Sequence, residues 1–200
     1  MKVLLLNGSP HEKGCTYTAL CEVAGALEKN GIETEIFQIG NKPVVPCRKT
    51  GRCVFEGGVN EFVEKAKEAD GFIFGSPVYY ANASGQISSF LDRAFYSGSA
   101  AFAYKPGAAV ASCRRAGTTA TLDQLNKYFT INCMPVVSSQ YWNMVHGNTP
   151  EEVVQDKEGL QIMRTLGNNM AWLLHCIQAG KEQGIALPER EPKEKTNFIR

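Results

Sequence analysis

Short, largely continuous apolar segments alternate with helical patterns along this chain, and this alternation restricts the fold more than any other feature. The segments typical of strands are residues 2–6, 32–39, 71–75, 107–112 and 134–137. The helical patterns are residues 16–30, 59–69, 87–95, 118–131 and 151–183. Continuous apolarity indicates strands buried on both faces, and alternation with helices indicates parallel strands. The pattern therefore predicts an α/β fold with a parallel sheet covered by helices on both sides.

Length and charge restrict the class of protein further. A chain of 200 residues is long enough for one domain with a substantial core. We expect the domain to span residues 1–184, followed by a charged tail at 185–200. Lys and Arg number 21 and Asp and Glu number 20, so charge gives no argument for binding nucleic acid or an anionic membrane.

The apolar run at the N-terminus is only four residues long, which is too short for a signal-peptide core or a membrane span. Seven cysteines are scattered along the chain without a C-x-x-C spacing. Such cysteines are typical of free thiols in a reducing compartment. We therefore expect a cytoplasmic protein.

The segment 7–16, with the sequence NGSPHEKGCT, joins the first strand to the first helix. Backbone amides of a first helical turn lack partners within the helix, and the helix dipole adds positive charge there. Hydroxyl groups of Ser9, Thr16 and Thr18 offer further donors. The segment predicts a phosphate site, although an ordinary βα loop without a ligand is the alternative. It matches neither the P-loop nor the dinucleotide fingerprint.

Two more segments, 76–82 and 112–118, also follow predicted strands and are rich in small or turn-forming residues. Ligands of parallel α/β sheets bind outside the carboxyl ends of the strands. We therefore expect these two segments and 7–16 to surround one ligand.

Four motifs resemble the flavodoxin-like superfamily, specifically the NAD(P)H-dependent FMN reductase branch that includes the iron-sulfur flavoproteins. The motifs are Asn7-Gly8-Ser9-Pro10 with Gly14-Cys15-Thr16, Gly75-Ser76-Pro77-Val78-Tyr79, Gly85 to Asp92-Arg93, and Ser112 to Thr118. The resemblance covers residues 1–180. It implies a doubly wound five-stranded sheet in the order 2-1-3-4-5, bound FMN, and a homodimer or homotetramer.

The resemblance also implies which residues bind FMN. Those expected around the phosphate are Ser9, His11, Cys15 and Thr16, with Thr18 added from its hydroxyl. Those expected at the isoalloxazine ring are Pro77, Val78, Tyr79 and Tyr80. Those expected at its pyrimidine side are Ser112, Cys113, Arg114, Arg115, Gly117 and Thr118.

Several of these residues have alternative interpretations. Tyr79 and Tyr80 are either stacking surfaces or ordinary packing residues after a strand. Cys15 either bonds the phosphate or is a small filler whose amide does so. Arg114 and Arg115 are surface charges, or one of them faces the FMN edge or the 2′-phosphate of NADPH.

The loop after the second strand departs from the iron-sulfur flavoproteins. They carry four cysteines there, whereas this chain has Cys47 and Cys53 with basic residues between them. A cluster held by cysteine normally needs four thiolates, so we expect no metal cluster. The two thiols are either a redox-active pair or an inert remnant of the cluster loop.

Trp142, Asn143 and His146 follow the predicted fifth strand, on the same rim as the three loops. We expect them to cover the pocket, and His146 is the best candidate for a proton donor. The helical pattern that follows is typical of core and of a dimer face.

These observations predict an FMN-dependent oxidoreductase that passes electrons from NAD(P)H to a small acceptor such as a quinone, nitro compound, flavin or metal complex. One alternative is a flavodoxin-type electron carrier without its own substrate. A carrier for basic partners is expected to be strongly acidic, and this chain is near neutral. The other is a scaffold that has lost its flavin, against which the three intact loops argue.

Overall fold

The computed structural model describes residues 1–41, 53–54 and 57–198. Its strands are β1 (Lys2–Asn7), β2 (Glu33–Gln38), β3 (Gly71–Tyr79), β4 (Asn82–Ala83), β5 (Gly107–Cys113) and β6 (Met144–His146). Its α-helices are α1 (Cys15–Lys29), α2 (Val59–Glu68), α3 (Gly85–Gly98), α4 (Thr118–Thr130), α5 (Pro150–Gln155) and α6 (Lys157–Glu182). A 3₁₀ turn, Ser99–Ala101, follows α3.

The main sheet is parallel throughout, in the order β2-β1-β3-β5-β6, and the two-residue strand β4 pairs antiparallel with β3. Both faces of the sheet are covered, as the register of β1 illustrates. Leu4 and Leu6 pack in a core formed with α2, α3 and α4, whereas Val3 and Leu5 pack against α1, α5 and α6. The predicted α/β class and strand order are confirmed, with β4 as an additional strand.

The position of the last parallel strand was predicted wrongly. Residues 134–137 form only an isolated bridge, Gly107 to Val136, and the fifth position in the sheet belongs to β6. Pro135 has no amide hydrogen, so the pairing cannot continue as a regular ladder there. His146 therefore ends a strand instead of lying in the loop after one.

The predicted single helix over 151–183 is two helices, α5 and α6, separated at Asp156. The Asp156 backbone is not helical, with φ −75° and ψ 77°. Its carboxylate accepts hydrogen bonds from the Gly159 amide (2.9 Å) and from the His146 amide (2.7 Å). An aspartate that caps the following helix favours an interruption over a continuous helix.

Phe62 of α2 lies at the centre of the core on the α2–α4 side and is fully buried. Its ring centroid lies 5.3 to 6.3 Å from those of four other phenylalanines, Phe37, Phe74, Phe90 and Phe102. Aromatic pairs at these distances contribute beyond the burial of their surface.

None of the helices in the described ranges has the length and apolarity that crossing a bilayer requires. Beyond α6, residues 185–198 contain neither helix nor strand and are exposed.

We expect Phe62→Ala to lower the free energy of unfolding by about 3–5 kcal/mol, because it leaves a cavity among four rings. Urea unfolding followed by circular dichroism measures this change. Phe198→Ala is the matched control, since Phe198 is 92% exposed, and should change stability by less than about 0.5 kcal/mol. Equal effects of the two substitutions would contradict the assignment of Phe62 to the core.

Candidate flavin site

Hydrogen bonds join the three predicted loops at the carboxyl edge of the sheet. The Gly8 amide donates to the Gly75 carbonyl oxygen at 2.8 Å, which ties the loop after β1 to β3. The Ser84 hydroxyl donates to the Gly8 carbonyl oxygen at 2.9 Å, which ties it to the N-terminus of α3. The hydroxyls of Thr16 and Ser112 lie 2.7 Å apart and join α1 to the end of β5.

The loop after β1 is fixed by its own polar groups. The Ser9 amide donates to Asn7 Oδ1 at 3.1 Å, and the His11 amide donates to Ser9 Oγ at 3.1 Å. Gln38 of β2 accepts from Asn7 Nδ2 and donates to the Ser9 carbonyl oxygen. The loop is therefore held in one conformation before any ligand arrives.

The N-terminus of α1 lies at the end of this loop and suits an anion. The cap residue is Gly14, and among the described residues no side chain caps the helix. Its first turn contains no acidic residue. The amides of the first turn and the helix dipole are thus available to a phosphate.

The predicted phosphate residues differ in their surroundings. Thr16 is buried and its hydroxyl reaches Ser112, so both hydroxyls lie beside the N-terminus of α1. His11 is exposed at the loop tip. The Thr18 hydroxyl donates to the Gly14 carbonyl oxygen at 3.2 Å, one turn back in its own helix. This bond directs the Thr18 hydroxyl toward its own backbone.

A hairpin turn at Tyr80 and Ala81 connects β3 to β4 and carries backbone strain. Their φ angles are +50° and +60°, a region that residues other than glycine rarely adopt. Two-residue hairpin turns with both central residues at positive φ normally contain asparagine or glycine. Each such residue costs about 1–3 kcal/mol, and strain of this kind concentrates at functional sites.

Tyr79 and Tyr80 are both exposed, so neither is a core residue. The turn also touches the third loop. A Cβ atom on Gly117 would lie 2.7 Å from Ala81 Cα and 2.8 Å from Val78 Cγ1. Gly117 itself has φ +96°, so both space and conformation require glycine there. Pro77 and Val78, half-buried, precede the turn.

Burial raises the pKa of two predicted cysteines, Cys15 and Cys113. Cys15 Sγ donates to the Gly147 carbonyl oxygen at 3.7 Å, and Cys113 is buried at the end of β5. Burial therefore favours the neutral thiol at both positions, which suits packing residues better than nucleophiles.

Cys47 lies outside the described residues, and Cys53 lies within them. Cys53 Sγ accepts a hydrogen bond from Nη1 of the buried Arg93 at 3.4 Å. In the described ranges, no group of three or more histidine, cysteine, aspartate or glutamate side chains is placed to hold a metal ion.

The remaining predicted residues lie at the β5 and β6 side of the site. Arg114 and Arg115 are exposed in the loop, and Thr118 is buried with its hydroxyl 3.2 Å from Met144 Sδ. His146 is about half exposed, and its Nδ1 lies 3.6 Å from Asp156 Oδ2. Since His146 pairs in register with Cys113, it lies beside the third loop.

Two important residues were absent from the sequence-based prediction, Ser84 and Asp156. Each is an N-cap, since Ser84 Oγ accepts from the Ile87 amide and Asp156 Oδ1 accepts from the Gly159 amide. Serine and aspartate before a helical pattern are a readable signal for a cap. Their second bonds, to Gly8 and to His146, join distant parts of the chain and have no such signal.

Comparisons with known proteins show the family to which the chain belongs. The family model described as NADPH-dependent FMN reductase matches residues 1–149. An iron-sulfur flavoprotein of Methanocaldococcus jannaschii is 33% identical over 197 residues, which cover 89% of this chain and all of that protein.

Two solved structures share the fold. The NAD(P)H:quinone oxidoreductase from Methanothermobacter marburgensis has a TM-score of 0.66 at 16% identity, over 85% of this chain and 96% of its own. A flavodoxin from the domain Archaea has a TM-score of 0.62 at 15% identity, over 88% of this chain and 99% of its own.

The sheet order and the fold shared with these structures thus define a flavodoxin-like protein. The chain belongs to the NADPH-dependent FMN reductase family. Membership in this family places the chain among the FMN-dependent oxidoreductases.

We expect Thr16→Val to weaken FMN binding about tenfold or more, because it removes a buried hydroxyl beside the proposed phosphate position. Quenching of FMN fluorescence on titration with apoprotein measures the dissociation constant. Thr130→Val is the matched control, since Thr130 is exposed at the far end of α4. Unchanged affinity in a folded Thr16→Val protein would show that the phosphate binds elsewhere.

Proposed function

We propose that this protein is an FMN-dependent NAD(P)H oxidoreductase that reduces a small acceptor. The observation that carries the proposal is that hydrogen-bonded loops join the N-terminus of α1 to the strained, exposed turn at Tyr80 and Ala81. The helix N-terminus suits a phosphate. The turn offers peptide planes and two tyrosine rings to a flat group. A flavin mononucleotide combines both chemistries.

The residues present fit FMN. Ser9, Thr16 and the amides at the N-terminus of α1 would hold the phosphate. Residues 77–80 would contact the ring, and residues 112–118 would donate to its pyrimidine side. Bound FMN supplies the chemistry of accepting a hydride from NAD(P)H and returning electrons to an acceptor.

When the acceptor is a quinone, the overall reaction converts NAD(P)H, one proton and the quinone to NAD(P)⁺ and the hydroquinone. We propose His146 as the side chain that holds the proton. Asp156 lies beside its Nδ1 atom and bonds its backbone amide, so Asp156 acts as a positioning residue. Nitro compounds, free flavins and metal complexes are the other acceptor classes that we propose.

We also propose a domain over residues 1–184 with a tail at 185–200, assembly into a homodimer or homotetramer, and a cytoplasmic location. The exposed and irregular course of residues 185–198 supports the tail. The lack of excess positive charge supports a protein without a nucleic-acid or membrane partner.

The purified protein should be yellow with FMN, and anaerobic addition of NADPH or NADH should bleach the oxidised flavin absorption band. A quinone added afterwards should restore it. Stopped-flow absorbance measures both steps. A flavin that stays oxidised with both nucleotides would instead identify the protein as a flavodoxin-type electron carrier, and a protein that binds no flavin would identify it as a scaffold.

We further propose that a single copy of this protein holds no iron-sulfur cluster, although its relative from Methanocaldococcus jannaschii is named an iron-sulfur flavoprotein. The sequence between β2 and α2 has two cysteines, where a cysteine-held cluster normally needs four. Protein purified without oxygen should therefore lack iron and acid-labile sulfide. Stoichiometric amounts of both, removed by Cys53→Ser, would overturn this proposal.

A further inference from the structure

The two edges of the main sheet differ in how they are protected. At one edge, β2 carries Glu33 and Glu35, and the ammonium groups of Lys2 and Lys65 lie 2.6 Å and 2.8 Å from Glu35 carboxylate oxygens. At the other edge, β6 pairs with β5, and no strand in the described ranges pairs with its outer side. Exposed sheet edges are normally protected from association by charged side chains. The β2 edge has this protection.

The sequence around the β6 edge has no such charges. No Asp, Glu, Lys or Arg occurs between Lys127 and Glu151, or between Arg164 and Lys181, although these residue types make up 20% of the chain. The first uncharged stretch contains β6 and the segment before it, and the second forms the middle of α6. Because α6 packs against β6, both stretches lie on the same side of the molecule.

Side-chain hydrogen bonds join the two uncharged stretches into one surface. The Thr165 hydroxyl donates to Gln140 Oε1 at 3.1 Å, and Asn169 Nδ2 donates to the Ser138 carbonyl oxygen at 2.8 Å. Trp172 follows Asn169 by three residues and is therefore its neighbour on the helix surface. We call this surface the β6-edge face, and it is formed by Val136, Tyr141, Trp142, Asn169 and Trp172.

The β6-edge face exposes large apolar side chains. Trp172 is 68% exposed, Tyr141 and Trp142 are each 55% exposed, and Val136 is 42% exposed. Both tryptophans of the chain are among these residues. Aromatic residues are enriched, and charged residues depleted, at the centre of protein interfaces. An apolar patch of this composition is typical of a surface that a protein partner covers.

The face contains both a recess and a projecting ring. The recess, of about 520 Å³, lies between α4 and the segment before β6, with Val136 and Trp142 in its lining. Its charged lining residue, Asp123, is exposed on α4 and so belongs to the rim. The largely exposed ring of Trp172 is on α6, on the other side of the segment. In a two-fold contact, the projecting part of each copy can meet the recess of the other.

The lack of charge favours a second copy of this chain over a charged partner. In a two-fold contact the same surface is present on both sides, so a charged side chain near the axis faces its own like charge. Such like-charge contacts oppose association. A surface without charge avoids this repulsion, whereas a partner of either charge would find no opposite charge to pair with at its centre.

We propose that the β6-edge face is the surface through which two copies of this protein associate. Each copy covers the exposed aromatic rings of the other, and the open edge at β6 is no longer exposed to solvent. The inference deepens the proposed homodimer or homotetramer by assigning one contact to it. It rests on that proposed assembly and not on the proposed flavin chemistry.

Trp172→Glu tests the proposal, because it places two like charges in one apolar contact. Sedimentation velocity of the flavin-loaded protein over a dilution series measures the assembly. The wild-type protein should be a dimer or a tetramer, and Trp172→Glu should lower it by one step, to a monomer or a dimer. The dissociation constant of this contact should rise about 100-fold or more. Val136→Glu, at the other side of the face, should have the same effect.

Phe198→Glu is the matched control, since it places the same charge at an exposed ring of the tail, outside the face. It should retain the wild-type assembly, and so should the conservative variant Trp172→Phe. A monomeric wild-type protein, or a wild-type assembly retained by both Trp172→Glu and Val136→Glu, would overturn the proposal. Dissociation of Phe198→Glu would assign the face to the tail and would overturn it as well.

Salt and flavin reduction provide two independent readouts. Because the face is uncharged, the assembly should persist between about 0.05 and 0.5 M sodium chloride. Its loss at the higher concentration would contradict an apolar contact. Reduction of the flavin by NADPH, measured in the same samples, tests the proposed function separately. An assembly that Trp172→Glu dissociates, in a protein whose flavin NADPH does not reduce, would support the face and refute the reductase activity alone.

Discussion

The site depends on the close approach of two backbones at Gly8. Its amide bonds Gly75 of β3 and its carbonyl oxygen bonds the Ser84 hydroxyl, so both of its peptide groups are used to join neighbouring segments. A side chain there would meet Ile87 Cδ1 at 2.6 Å and the Gly75 carbonyl oxygen at 2.8 Å. Only glycine permits this approach without displacing backbone. The loop after β1 and the turn after β3 keep their relative positions because of this contact.

Features that depend on residues close together in the sequence could be predicted from it, whereas features that depend on distant residues could not. The apolar runs of β1, β3 and β5 and the small residues after them are local signals, and they located the parallel sheet and the three loops. The strand order came from the family resemblance. The wrong strand at 134–137 is as apolar as β6, and the difference is set by pairing: β6 pairs with β5 over three residues, whereas Pro135 interrupts the earlier segment. The local sequence pattern alone does not show which of the two segments pairs with β5.

The details that give the site its shape come from long-range contacts. Nothing in the residue types of Tyr80 and Ala81 indicates a left-handed turn, because both disfavour it. The β3–β4 hairpin and the contact with Gly117 impose that conformation from outside. The bonds of Asp156 to His146, and of Thr16 to Ser112, similarly join residues far apart in the sequence. The tertiary fold brings such pairs together, and the sequence alone does not reveal them.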